Sequence, residues 1–84
     1  MTQIINEQVN VNAFYFSGRD MKTFPKSIEF RGQAVTFADG LRLLVHRGNE
    51  FIKFFDMNGA DGSHYRLRQE NANVWTLVAM EGAF

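Results

Sequence analysis

The sequence predicts an all-β protein that folds as a small barrel or roll of about six to seven short, mainly antiparallel strands in a meander. Apolar and polar residues alternate with a period of two almost throughout the chain, as expected of strands that have one buried face. Gly, Asn and Asp recur between the alternating segments, as is typical of tight turns. No segment sustains the longer apolar period of an amphipathic helix.

Seven segments carry the alternation and are predicted as strands. Short strands joined in sequence leave exposed edges unless the sheet closes on itself. Closure favours a small SH3-like or OB-like barrel, with a two-layer roll as the alternative. The predicted strands are 9–17, 27–31, 34–38, 41–47, 51–57, 63–69 and 74–80.

The 84 residues predict one domain, spanning 1–84, because a chain of this length supports a single small core. Residues 9–80 are predicted as the β core, 1–8 as an N-terminal extension that allows a short helical turn, and 81–84 as a tail. Apolar residues occupy even positions before Gly32, at Ile28 and Phe30, and odd positions after it, at Val35 and Phe37. We therefore expect a turn or bulge at Gly32.

Composition excludes several classes of protein. Nine Lys and Arg residues balance nine Asp and Glu residues, so the chain has no overall field that would attract nucleic acid or an anionic membrane. Without cysteine it can form no disulfide or thiolate site. The apolar runs are too short to cross a bilayer, and residues 1–8 lack the features of a signal peptide. We expect a soluble, cytoplasmic protein with no cofactor and no membrane partner.

The dipeptide Gly48-Asn49 predicts the register of one hairpin. With Gly48 at the positive φ of a type II′ turn, Arg47 pairs with Glu50. The pairing continues as Val45–Ile52, Leu43–Phe54, His46–Phe51, Leu44–Lys53 and Arg42–Phe55. One face of this hairpin is apolar, and we expect it to be the core face, whereas the opposite face is basic and aromatic.

The next hairpin extends that second face if its loop is the even segment 59–62. This loop places Phe54 opposite Leu67, and it also pairs Asp56–Tyr65, Phe55–Arg66, Lys53–Arg68 and Met57–His64. No acidic residue then falls on the basic and aromatic face. The predicted binding surface consists of Arg42, His46, Phe51, Lys53, Phe55, Arg66 and Arg68.

Burial is the alternative interpretation of the apolar residues on this face. A barrel encloses side chains that a flat register leaves exposed. The N-terminal strand also carries Phe14 and Phe16, which need cover. The residues that would form such a second buried layer are Leu44, Phe51, Phe55 and Met57.

Two connections are open in the sequence. A three-residue loop at 71–73 turns Trp75 and Leu77 inward with Tyr65 and Leu67. An even loop instead turns inward Val74, Val78 and Met80. The segment 38–40 fits either a two-residue turn at Asp39-Gly40 or a three-residue turn with a glycine bulge.

The sequence offers no catalytic constellation. Its two histidines, His46 and His64, are predicted two strands apart with no carboxylates beside them, so we expect no metal site. The segment 56–62 is rich in Asp, Asn and Gly but lacks the ligand spacing of a calcium loop, and it is predicted as a turn. Phosphate-binding glycine loops and nucleophile elbows do not occur in the chain.

The sequence therefore predicts a non-enzymatic binding module. Its basic and aromatic face suits another protein or a second copy of the chain, because Phe, Met and Arg are frequent interface anchors. Single-stranded nucleic acid is the alternative partner, since aromatic rings can stack on bases while Lys and Arg contact phosphates.

Overall fold

The chain folds into a closed antiparallel barrel, which confirms the predicted all-β meander. The computed structural model describes residues 2–71 and 74–82. Strands adjacent in sequence pair with each other, and the first strand also pairs with the last. This order is that of an up-and-down barrel, unlike the Greek key of an OB-fold. The strands are β1 (Thr2–Ser17), β2 (Lys22–Phe30), β3 (Gln33–Arg47), β4 (Glu50–Gly59), β5 (His64–Asn71) and β6 (Val74–Glu81).

Strand β1 closes the ring by pairing on both sides. Its residues Thr2 to Val9 pair with β6, and Asn10 to Ser17 pair with β2. Bulges interrupt the first pairing after Ile4, next to Asn6 at φ 53°, and the second around Ala13. Such bulges bend a strand, as a small barrel requires.

The predicted helical turn in 1–8 is wrong. Residues 2–8 lie within β1. Their backbone pairs with β6 in a ladder, which replaces the local hydrogen bonds of a helical turn. Residue 1 lies outside the described residues.

Strand β3 is one continuous element where two were predicted. Asp39 and Gly40 do not form a turn; they pair with Asn58 and Met57, and Ala38 is the extra residue of a bulge. A Cβ at Gly40 would overlap the Met57 side chain and lie 2.8 Å from the Asp56 carbonyl oxygen. Gly40 therefore permits close packing between strands, a use of glycine that resembles a turn signal in the sequence.

Two other predicted turns are confirmed. Arg31 and Gly32 connect β2 to β3, and both have positive φ, 50° and 77°, as a two-residue type I′ turn requires. Gly48, with φ 59°, and Asn49 connect β3 to β4, and Arg47 pairs with Glu50.

The last hairpin combines features of both predicted registers. Asn71 pairs with Val74, as an even loop requires; residues 72–73 between them lie outside the described residues. A bulge lies between Gln69 and Asn71 on β5. The bulge shifts the alternation by one residue, so Trp75 and Leu77 are buried as in the three-residue case.

The interior of the barrel contains the core. Phe55 is central to an aromatic cluster, with ring centroids 5.1 Å from Trp75 and 5.9 Å from Phe24. All strands contribute to this core, because a narrow barrel is filled by its own inward side chains. The buried apolar residues are Val9, Ile28, Phe37, Phe55, Met57, Tyr65, Leu67, Trp75 and Leu77.

Candidate functional site

The β3–β4 hairpin has the predicted register and the opposite sidedness. Each predicted pair from Arg42–Phe55 to Arg47–Glu50 is present. Phe55 and Met57 face the barrel interior, however, whereas Leu43 and Val45, expected in the core, lie on the exterior. A register determines which residues share a side, but the direction in which the sheet curls determines which side is buried.

The predicted register of the β4–β5 hairpin is wrong by one residue. Asn58 pairs with His64, so the loop is the odd segment 59–63, in which Gly59 N–H donates to the Ser63 carbonyl at 2.7 Å. The observed pairs include Phe55–Leu67, Asp56–Arg66 and Phe54–Arg68. A shift of one residue moves every side chain of β5 to the other side of the sheet. Arg66 and Arg68 are therefore separated from Arg42, Lys53 and Phe55.

On the outer surface Arg66 and Arg68 have acidic partners. Arg66 Nε and Nη2 donate to the Asp56 carboxylate at 2.7 and 2.9 Å, which raises the pKa of Arg66. Arg68 Nη2 donates to Glu70 Oε1 at 2.6 Å. Hydrogen bonds from Arg68 and then from Thr76 lower the pKa of Glu70. These paired arginines do not form the acid-free surface that the sequence predicted.

Three of the predicted site residues do come together, at one mouth of the barrel. Arg42, Lys53 and Phe55 line a cleft of about 430 Å³ to which all six strands contribute. We call it the mouth cleft. Its nine lining residues are Phe14, Met21, Lys22, Thr23, Arg42, Lys53, Phe55, Gln69 and Trp75.

Sequence reasoning missed Lys22, Phe14 and Trp75 as members of this site. Lys22 begins β2, and Phe14 lies on β1, opposite Pro25. Hairpin registers describe neighbouring strands only, whereas the mouth of a barrel joins residues from strands across the ring. The period-two alternation of β1, which placed Phe14 on one side of its strand, was the available signal.

The β3–β4 hairpin extends beyond the rest of the barrel. Phe37 to Arg47 of β3 pair with β4 and with no second strand among the described residues, and Glu50 to Ile52 pair with β3 alone. We call 41–47 the free edge and 44–52 the hairpin end. Exposed apolar residues concentrate here on both sides of the sheet: Leu41, Leu43, Leu44, Val45 and Phe51.

His46 and Phe51, both predicted site residues, lie at the hairpin end. Their rings stack with centroids 4.7 Å apart, and Phe51 is 63% exposed. Leu44 is 53% exposed. The alternative prediction of a buried layer is thus correct for Phe55 and Met57 and wrong for Leu44 and Phe51. The closed barrel encloses only Phe55 and Met57.

His64 and His46 lie against opposite ends of β4, since His64 pairs with Asn58 and His46 pairs with Phe51. Its Nδ1 is within hydrogen-bond distance of Asn58 Oδ1, and Asn58 Nδ2 donates to Asp39 Oδ1 at 2.6 Å. The loop at 59–63 is a turn, as predicted: Gly62 N–H donates to the Gly59 carbonyl and Ser63 N–H to Asp61 Oδ1, both at 3.0 Å. In the described part of the chain no group of three or more His, Cys, Asp or Glu residues could hold a metal ion.

Comparisons of the chain with protein-family models, with curated proteins and with solved structures found no match. Its function is therefore inferred from two features of its own structure, the free edge and the mouth cleft.

Proposed function

We propose that this protein is a non-enzymatic binding module that associates with a second copy of itself through the free edge of β3. The observation that carries the proposal is the coincidence of an unpaired backbone edge with exposed Leu41, Leu43, Leu44 and Val45 along 41–47. An unpaired edge is a template for another strand, and apolar side chains beside it gain from burial.

Two of the open edges of the barrel, those of β3 and β2, differ in their protection. Lys22 to Lys26 of β2 also lack a second neighbouring strand among the described residues, but that edge contains Lys22, Pro25 and Lys26. Lysine and proline are the residues with which proteins block edge pairing. The free edge of β3 contains neither lysine nor proline; its charged residues are Arg42 and Arg47 near its two ends, and its centre, Leu43 to Val45, is apolar.

A second copy is a suitable occupant of the free edge. Antiparallel pairing about a two-fold axis at Leu44 places Leu44 against Leu44 of the second copy and Leu43 against Val45 of the second copy. Arg42 and Arg47 then face His46 and Leu41 of the other copy, so no two arginines are directly opposed. The formal net charge of zero adds no overall repulsion between copies.

Single-stranded nucleic acid is the second candidate partner. Its support is the mouth cleft, where Arg42 and Lys53 lie near exposed Phe14. We place it second because Arg66 and Arg68 are paired with acids elsewhere, and a cleft of about 430 Å³ has the size of a site for one small molecule.

A cytoplasmic location stays a prediction from the sequence.

Sedimentation equilibrium over a concentration series tests the self-association. We expect a reversible monomer–dimer equilibrium in the wild type. Leu44→Lys should raise the dimer dissociation constant at least about tenfold, because it opposes two ammonium groups at the two-fold axis.

Ile4→Lys is the matched control, since Ile4 is 71% exposed but lies on β1 away from the free edge. It should leave the dissociation constant unchanged. A wild type that is monomeric up to about 1 mM, or equal effects of the two substitutions, would contradict the proposal.

A further inference from the structure

The mouth cleft has a charge distribution unlike the rest of the molecule. Lys22, Arg42 and Lys53 line it, and none of its nine lining residues is acidic. Among the described residues these three cations form no salt bridge, whereas the three salt bridges that are present involve Arg31, Arg66 and Arg68. In a chain of zero net charge, the cleft is therefore a local site of positive potential that favours an anion.

An aromatic ring is available beside these cations. Phe14 is 45% exposed, and its ring centroid lies 5.9 Å from that of buried Trp75, which supports it from below. Phe55 and Trp75 are almost completely buried and form the floor. The exposed Phe14 ring thus offers a platform for a planar group, and such stacking is insensitive to the identity of the base.

Neutral polar groups complete the lining of the cleft. Thr23 provides a hydroxyl, and the Gln69 amide provides both a donor and an acceptor. Apolar surface with a few polar groups at the mouth of a β-barrel is the usual composition of a small-molecule site, and about 430 Å³ lies within the usual range of volumes.

We propose that the mouth cleft binds a nucleotide, with the phosphate at Lys22, Arg42 and Lys53 and the base against Phe14. The ligand chemistry is a phosphate joined through a sugar to a planar ring, which either a free mononucleotide or one unit of a single strand supplies. The cleft shares Arg42 with the free edge, but its other eight lining residues lie outside 41–47, and ligand binding does not require self-association.

Calorimetric titrations at low ionic strength with AMP, ribose 5-phosphate and a hexanucleotide of adenosine test the ligand class. AMP should bind about tenfold more tightly than ribose 5-phosphate, because only AMP has a base to stack. Both affinities should fall as salt is added, since the phosphate contacts are electrostatic.

Paired substitutions test the assigned residues. Lys53→Gln should weaken both small ligands by about tenfold, whereas Phe14→Leu should weaken AMP and leave ribose 5-phosphate unchanged. Lys26→Gln and Phe16→Leu are the matched controls, because these exposed residues do not line the cleft. Thermal unfolding of each variant separates lost binding from lost structure.

A hexanucleotide affinity more than about tenfold above that of AMP identifies a single strand as the source, and a smaller difference identifies a free nucleotide; both support the site. No saturable AMP binding up to about 1 mM, equal affinity for AMP and ribose 5-phosphate, or equal losses in Lys53→Gln and Lys26→Gln would overturn it.

Discussion

The start and the middle of β4 carry the same kind of side chain in opposite surroundings. Phe55 is 1% exposed and Phe51 is 63% exposed, although both lie on the same side of the strand. At Phe55 the strand has neighbours on both sides and the ring encloses that side, whereas at Phe51 it pairs with β3 alone. Alternation therefore defines the sides of a strand, and ring closure determines where one side is buried.

The same contrast separates the charged groups. On the outer wall of the barrel, Arg66 and Arg68 are held by carboxylates. At the mouth, Arg42 and Lys53 have no such partner among the described residues. The wall arginines thus form ion pairs within the chain, and it is to the cations at the mouth that we assign the phosphate of the proposed nucleotide.

Removal of the two phenylalanines is expected to show the largest difference between barrel and hairpin end. Phe55→Ala should lower the free energy of unfolding by about 3–5 kcal/mol, because it leaves a cavity in the aromatic cluster. Phe51→Ala should lower it by less than about 1 kcal/mol. Urea unfolding measures both, and Phe55→Leu provides a milder variant if Phe55→Ala does not fold. Similar losses at the two positions would show that the hairpin end is packed in solution.

Gly40 tests the junction between these regions. Gly40→Ala should cost about 1–3 kcal/mol, because the new methyl group would press on the Asp56 carbonyl and on buried Met57. Thermal or urea unfolding measures the loss. Ala34→Gly, at an exposed position of the same strand, is the control and should cost about 1 kcal/mol or less. A stable Gly40→Ala protein would mean that β3 and β4 are less closely packed there than the structure shows.

The smallest expected effect concerns the pH dependence of the outer wall. Arg68 and Thr76 lower the pKa of Glu70 from its ordinary value of 4.5, so the folded state holds its proton less tightly than the unfolded state does. The resulting stabilisation is present above pH 4.5 and is lost as the pH falls through the lowered pKa.

Glu70→Gln should therefore flatten the decline in unfolding free energy between about pH 5 and pH 3, as urea titrations at several pH values would show. Glu50→Gln at the hairpin end is the control, because Glu50 forms no salt bridge among the described residues. An unchanged slope in Glu70→Gln would mean that the Arg68–Glu70 contact does not persist in solution.

Local signals in the sequence were sufficient for the fold class and for some turns. Turns that require a positive φ, as at Gly32 and Gly48, can be predicted from the glycine itself, because few other residues adopt that conformation. Gly40 misled for the same reason: the sequence does not distinguish a glycine required by a turn from one required by a neighbouring side chain.

The candidate site was only partly predictable, because an error of one residue in a loop length reverses the side of every residue in the strand that follows. One residue more than predicted in the loop at 59–63 places Arg66 and Arg68 on the outer wall. The bulge before Asn71 shifts the alternation once more, so that Trp75 and Leu77 face the interior. The mouth cleft depends on closure between strands far apart in sequence, which places Phe14 beside Trp75. No local pattern contains that information.

Five of the six strand pairings join neighbours along the chain, and the sixth joins β1 to β6. The ring therefore has one seam at which residues from opposite ends of the chain meet, as Thr2 meets Glu81. Among the strand pairings, the largest loop-closure entropy falls at this seam, because each of the other five pairings joins strands connected by a short loop. Separation of β1 from β6 would open the cylinder into a curved sheet in which each hairpin remains paired. Opening of the ring and loss of a hairpin are therefore distinct events in this topology.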